Sequence, residues 1–470
     1  MTACRTGKVT IITLFLVLFL ISINLLSGVN AFYTTEITEA GDSRIDRSPS
    51  IAETGGALVV AWLASEGSNV NIRYNVRYQG TWSGVEKLVE GTGNERDLAL
   101  CASGGLIYAA WATDNSQYTS GLDWDIALSI YYPETGWNTP IELTVSNDTA
   151  NDYAPCLVPY QNGVIVLWHS IEGVEGHILL ATYNSVPSEA LVVTKDWKGM
   201  NLNPSAVFLD DKLWIAWSSG DNAYTNSMDM DIVAASFHLQ NHSLDEIVQL
   251  SDTADTEDDM YPSMLTLNNC LYIAWQSKDK SVGPGDDMDI GLAMYNGTWS
   301  THALSSSHDT GDDVYPLLFP FKSSVWLSWQ SSDPSITGGD GWDIAVAEIN
   351  GTTLGSVLVV SEGKDSADSG GTVVPGHDAI QVDEEIIVVW ETTSALLTDG
   401  TDRDIVMTSL SQPGQEKIED DDRIDNGIIP IFVIVGFLGG CVVFWFLKKS
   451  RFWKRKDDEE KPKRKKHSRN

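Results

Sequence analysis

Short apolar stretches ending in tryptophan recur seven times along the chain, at residues 58–62, 107–111, 164–168, 213–217, 271–275, 325–329 and 386–390. Successive tryptophans (Trp62, Trp111, Trp168, Trp217, Trp275, Trp329 and Trp390) are 49, 57, 49, 58, 54 and 61 residues apart. Each stretch is too short for a packed helix, rich in β-branched residues and bounded by turn formers, so it reads as a buried strand. Other landmarks keep step with it. Sixteen residues earlier stands Asp46, Asp152, Asn201, Asp259 or Asp313, and three residues after that a proline: Pro49, Pro155, Pro204, Pro262 or Pro316. That proline suits the first residue of a strand, where no ladder donor is needed, and the repeated Asp suits capping of strand starts through backbone N–H groups. Fourteen residues after the tryptophan, Asp-Ile opens another strand in five repeats, at Asp125, Asp231, Asp289, Asp343 and Asp404. In two shorter repeats the offset is nine, at Asn71-Ile72 and His177-Ile178. Hairpin signals such as Asn296-Gly297 and Asn350-Gly351 follow.

Each repeat therefore encodes four antiparallel strands, and seven such units predict an all-β, seven-bladed β-propeller over residues 32–412. The seventh repeat ends after its third strand. The missing strand is expected at residues 33–38, because Ile37 precedes Asp46 by the nine residues that separate Leu143 from Asp152 and Leu250 from Asp259. Pairing it there removes an open sheet edge and closes the ring.

Composition changes the picture mainly at the ends. The 470 residues carry a formal net charge of −35, and 43% are hydrophobic, which excludes a disordered chain. Residues 448–470 hold twelve basic and four acidic side chains, and residues 1–31 hold Arg5, Lys8 and no acid, so the part between carries −45. Nucleic acid is excluded as a partner by that repulsion. Residues 1–31 read as a signal peptide, with an uncleaved N-terminal anchor as the alternative. Residues 413–426 read as an acidic stalk. Residues 427–447 carry no charge and are long enough for one transmembrane helix. Residues 448–470 read as a cytoplasmic tail by the positive-inside rule, with Lys461 to Lys466 able to contact anionic lipid headgroups. The propeller is then outside a cell membrane. Sequons at Asn147, Asn241, Asn296 and Asn350 agree with export. Cys101, Cys156 and Cys270 are too few for a disulfide scaffold, and whether Cys101 pairs with Cys156 is open at this stage.

Candidate chemistry gathers where loops between blades and second-to-third-strand hairpins share one face. Those loops are acidic, and Asp258, Asp259, Asp286, Asp287, Asp289, Asp312 and Asp313 nominate calcium, which takes six to eight oxygens. Residues that break the repeat are the better functional candidates. The exported part has seven arginines, and Arg403, Arg44, Arg47 and Arg96 fall on this face in blades seven, one and two, where guanidinium groups could hold a carboxylate. Glu391 follows its tryptophan where other blades have Gln276 or Gln330.

Segments such as Gly80-Thr-Trp82-Ser83 and Tyr295-Asn-Gly-Thr-Trp299-Ser300 resemble the turns of sialidase-like propeller repeats of the Asp-box type. The resemblance covers about residues 32–412 at the level of blade pattern, and of the box itself only the Gly-Thr-Trp end stands in this chain. It implies an arginine triad on a substrate carboxylate, for which Arg47, Arg96 and Arg403 match, with Glu391 as a further catalytic candidate. No Tyr/Glu nucleophile pair falls on matching positions. Three expectations follow: a surface protein whose acidic loop face binds an extracellular glycan or protein, through calcium in one variant; a membrane-anchored sialidase-type glycoside hydrolase; and a passive structural part of a surface coat.

Overall fold

Each tryptophan-terminated stretch becomes the second strand of an antiparallel sheet, four-stranded in four blades and five-stranded in blades one, two and six, where two short strands share the outer edge. The computed structural model describes residues 33–411 apart from loop segments at 40, 120–122, 145–148, 226–228, 252–256, 280–281, 283–286, 305–310, 338–340, 362–375, 395–396 and 399–401. The expected leader, stalk, membrane span and basic tail lie outside the described residues, and no described helix is long and apolar enough to cross a membrane.

Seven sheets are present among the described residues, and six run in strict chain order from first strand to last. In blade one, Ile45–Thr54, Ala57–Glu66, Asn69–Tyr78 and Thr81–Trp82 follow one another. The seventh sheet is the exception that closes the ring. Its strands His377–Val382, Glu385–Thr392 and Asp404–Ser411 accept Tyr33–Glu36 as the fourth, with Tyr33 opposite Ser409 and Glu36 opposite Val406. Ile37 N–H donates to the Ile405 carbonyl at 2.8 Å and extends that pairing.

The core lies between blades. Seven apolar clusters each join one blade to the next. In each, a tryptophan packs on the blade before its own: Trp111 against Val59 and Ile72, Trp217 against Ile165 and Leu167, and Trp62 against Ile387 and Val389 of blade seven. This is why the second strands read as continuous apolar runs. Both faces of a blade are covered by neighbours, and all seven tryptophans are at most 2% exposed.

Two local features differ from expectation. The residue sixteen before the tryptophan points into the sheet, not along the backbone. Asp313 accepts from Trp329 Nε1 at 2.9 Å and Asn201 from Trp217 Nε1 at 3.1 Å. Glu95, which the Asp/Asn pattern passes over, accepts from Trp111 Nε1 at 2.7 Å. The two positions are diagonal neighbours across an antiparallel pair, so in these three blades the buried indole N–H finds its acceptor at the other. The prolines, in turn, do not open the first strands. They sit inside them at a β-bulge: Pro49 lies within Ile45–Thr54, where the register jumps between Arg47 and Ser50. Pro155, Pro204, Pro262 and Pro316 fall in the same jump of their blades. A bulge interrupts the ladder, so the missing proline N–H costs nothing there.

Candidate functional site

The bulges set the site. The residue just before the proline position turns left-handed in six blades: Ser48, Asp97, Ala154, Asn203, Tyr261 and Tyr315 have φ between 49° and 56°. A bulge bends its strand and re-aims the side chain. Four first-strand starts, in blades one, three, five and six, are also stitched to the preceding blade. The N–H groups of Asp46, Asp152, Asp259 and Asp313 donate to the carbonyls of Arg403, Trp124, Met230 and Met288 at 2.7–2.8 Å. One ring of residues at the end of the second hairpin therefore meets a second ring at the start of the next blade, at one mouth of the channel.

The amides freed at the bulges are answered by side chains of the blade before. Ser48 N–H donates to Glu391 Oε2 at 2.8 Å, Asn203 N–H to His169 Nδ1 at 3.2 Å and Tyr315 N–H to Gln276 Oε1 at 3.0 Å. Glu391, His169 and Gln276 all directly follow their tryptophan, so that position is a blade-to-blade clasp. Ala154 N–H is taken instead by Asp97 Oδ2 at 3.2 Å.

The expected arginines divide. Arg403 Nη1 donates to Glu391 Oε1 at 2.6 Å, and Glu391 is 0% exposed. Burial pushes the Glu391 carboxyl up, while Arg403 and Arg47 pull it back. Glu391 is thus engaged on both oxygens and wholly buried, so a ligand at the mouth does not reach its carboxyl. Arg44 pairs with Glu39 and Asp42. Arg47 makes no hydrogen bond or ion pair among the described residues, although its charge reaches Glu391. Arg96 is built differently. Its Nε donates to Asp97 Oδ2 at 3.0 Å, and its guanidinium lies over the rings of Tyr153 at 4.5 Å and Trp124 at 5.7 Å. The side chain stays 42% exposed.

Around Arg96 stand residues that sequence reasoning passed over. Tyr153 contacts both Trp124 and His169, with ring centroids 5.9 and 5.8 Å apart. Burial, with Arg96 nearby, lowers the His169 pKa to about 3, so this imidazole is a neutral acceptor. Tyr261 and Tyr315 meet edge to face at 4.9 Å and are hydrogen-bonded through their side chains. Burial raises Tyr261, and the charges of Asp97 and Arg96 act on it from blade two. The signal was available: the position two after the repeated acid varies from Ser48 to Asp97 to Tyr261, whereas the acid itself barely changes.

The calcium expectation finds no coordinating set. Among the described residues no three His, Cys, Asp or Glu side chains gather in a way that could hold a metal ion. Asp258 Oδ1 accepts from Met230 N–H at 3.0 Å, and Asp312 Oδ1 from Met288 N–H at 2.9 Å. Asp259 and Asp313 are buried within the sheets, where burial lifts each carboxyl to about 7. Asp289 opens its strand and is 2% exposed, Asp287 lies two residues before it, and Asp286 lies outside the described residues. Asn241 and Asn296 occupy exposed turns, Asn350 is the exposed last residue of the strand Asp343–Asn350, and Asn147 lies outside the described residues. Cys101 and Cys156 are free thiols. Cys101 packs in the cluster between blades two and three, Cys156 in that between blades three and four, so the blade-three sheet separates them.

No family model matches the chain, and no curated protein matches it in sequence. Solved structures similar in fold are sialidase-type and other carbohydrate-active propellers. The phage phi92 endosialidase is 10% identical with a TM-score of 0.44 over 85% of this chain and 71% of that one. The Trypanosoma rangeli sialidase is 12% identical with a TM-score of 0.42; the match covers 68% of this chain and 57% of the sialidase. The alpha-L-arabinofuranosidase of Fusarium graminearum is 11% identical with a TM-score of 0.45 over 82% of this chain and 98% of that one.

Proposed function

We infer that the protein is a surface-displayed propeller that binds an acidic glycan at the arginine-bearing mouth of its channel. The observation that carries this reading is Arg96. Aromatic stacking fixes its plane and Asp97 takes only its Nε, so the outer amines of the fork face solvent. A planar guanidinium presented in that way suits a carboxylate bidentately. Arg47, without an ion-pair partner among the described residues, adds a second positive group in the neighbouring blade. The tyrosines opposite offer flat apolar faces of the kind on which sugar rings pack.

Display at a membrane rests on the sequence: a leader at 1–31, an acidic stalk at 413–426, an uncharged span at 427–447 and the basic tail after it. Binding is favoured over hydrolysis because Glu391 is wholly buried and paired with Arg403. The glycosidase reading keeps one support, the hydrogen-bonded Tyr261 and Tyr315 near Asp97 and Arg96. A single experiment separates them. Sialylated, uronate-containing and neutral oligosaccharides are titrated against the full-length chain and its Arg96→Ala variant, and the wild-type mixtures are analysed for cleavage. Binding of acidic sugars alone, lost in the variant and without cleavage, is expected. Equal binding of neutral and acidic sugars overturns the site; cleavage products transfer the reading to the hydrolase.

A further inference from the structure

The ring is closed at one junction; the carboxyl pair there recurs as Asp259 with Asp231 and Asp313 with Asp289, but only here does it hold a sheet completed from the other end of the chain. Tyr33–Glu36 completes the blade-seven sheet, and ten residues later the chain enters blade one through Asp46. Asp46 is 0% exposed and lies beside Asp404, which is 3% exposed. Asp46 N–H donates to the Arg403 carbonyl at 2.8 Å, and Thr38 Oγ1 donates to Asp404 Oδ1 at 3.0 Å. The two carboxyls thus sit where the clasping segment meets both blades.

Their surroundings favour a proton. Neither Asp46 oxygen accepts a hydrogen bond of normal geometry among the described residues, although the Trp62 indole faces them. The charged neighbours are Asp42, Arg44 and Asp404 for Asp46, and Asp402 and Asp42 for Asp404. Arg44 is the single cation in that set, and it is paired with Glu39 and Asp42. Burial first, and Asp42 second, push the Asp46 carboxyl up to about 7, and burial raises Asp404 as well. Two buried carboxyls within electrostatic reach of each other, whose one nearby cation is already paired, cannot both ionise without cost.

We propose that Asp46 and Asp404 form a proton-held latch, which keeps the propeller ring closed in acidic surroundings and loosens it as the medium becomes neutral. Blade four supplies a comparison within the molecule. There Asn201 stands at the Asp46 position and His177 lies in the facing strand. Asn201 Oδ1 accepts from Trp217 Nε1 at 3.1 Å and from the Ser219 hydroxyl at 2.8 Å, while Nδ2 donates to the Gly176 carbonyl at 3.0 Å. An amide therefore does the same work with no proton to lose.

The sign follows from linkage. The folded pKa of Asp46 lies above its free value, so the closed state binds a proton that the opened state releases. Between the free value of 3.8 and about 7, the opening equilibrium rises by about tenfold per pH unit, and it levels off above that. The test is amide exchange in the full-length chain, comparing residues 33–38 with the blade-three strand Glu175–Tyr183 from pH 4 to 9. Protection of 33–38 relative to that strand is expected to fall by about tenfold per unit up to about pH 7, and then to hold steady. In Asp46→Asn it should remain high throughout. If that variant does not fold, Asp404→Asn removes the same pair and should flatten the profile equally. A flat wild-type profile, or an unchanged slope in the folded variant, overturns the latch. So does recovery of wild-type protection by millimolar calcium at pH 8, which would make the pair a cation site instead.

Discussion

The two sides of the channel mouth are built on the same repeat and carry opposite chemistry. Blades seven, one and two place Arg403, Arg47 and Arg96 at positions where blades five and six place Met288, Met260 and Val314. At the bulge itself the charged side has Ser48 and Asp97, and the other has Tyr261 and Tyr315. What does not change between the sides is the buried indole, as in Trp111 and Trp390 on one side and Trp275 and Trp329 on the other. The difference teaches that the blade tolerates almost any side chain at the mouth, provided that the indole stays inside. Such a mouth can offer positive forks to one end of a ligand and flat rings to the other.

The largest effect that could break this comparison is in the core. Trp390→Ala on the charged side and Trp275→Ala on the apolar side should each cost about 3–5 kcal/mol in denaturant unfolding. Each removes a tryptophan at most 2% exposed. A large inequality between them would mean that the two sides are not the same scaffold. Next, Arg96→Ala should weaken binding of an acidic oligosaccharide by about 2–3 kcal/mol in calorimetric titration, with the melting temperature little changed. Tyr261→Phe keeps the ring and should lose far less.

A smaller effect concerns pH. Glu95 is 2% exposed, and burial raises its carboxyl to about 7 against hydrogen bonds from Thr113, Asn115 and Trp111. A raised folded pKa means stability that is full below about 4.5 and lost as pH climbs through about 7. Glu95→Gln should therefore melt higher than wild type at pH 8, by on the order of 1–3 kcal/mol, and show little advantage at pH 4. An advantage independent of pH would argue against a protonated Glu95. The smallest effect belongs to Glu391→Gln. Glutamine serves the same clasp in blade five, where Gln276 holds Tyr315 N–H. The variant should lose about 1–2 kcal/mol of stability through the broken pair. It should also bind acidic sugars somewhat more tightly, because Arg403 is released at the mouth. Weaker binding would show that the Arg403–Glu391 pair shapes the site rather than occupying it.

Much of the fold was legible because burial on both faces of a blade leaves a pattern of its own. The second strands are apolar without alternation, their tryptophans mark each blade, and the nine-residue spacing before Asp46 located the clasp at residues 33–38. The site was legible only in part. Arg47, Arg96 and Arg403 were found by their departure from the repeat, but nothing in their spacing distinguishes Arg403, bound to Glu391, from Arg96, stacked on Tyr153. Tyr261 was passed over because it belongs to blade five, more than 160 residues after Arg96 and Asp97 of blade two. The prolines were placed at strand starts because a bulge cannot be told from a strand end without knowing the partner strand.

The amino-acid order alone determined how many blades there are, where each begins and which segment closes the ring, since these follow from local periodicity and from the need to bury every apolar face. Which charges meet was decided by the closed wheel. Closure brings residue 46 beside residue 404, and residue 97 within electrostatic reach of residue 261. Coulomb and desolvation energies depend on those distances through space, which no count along the chain contains.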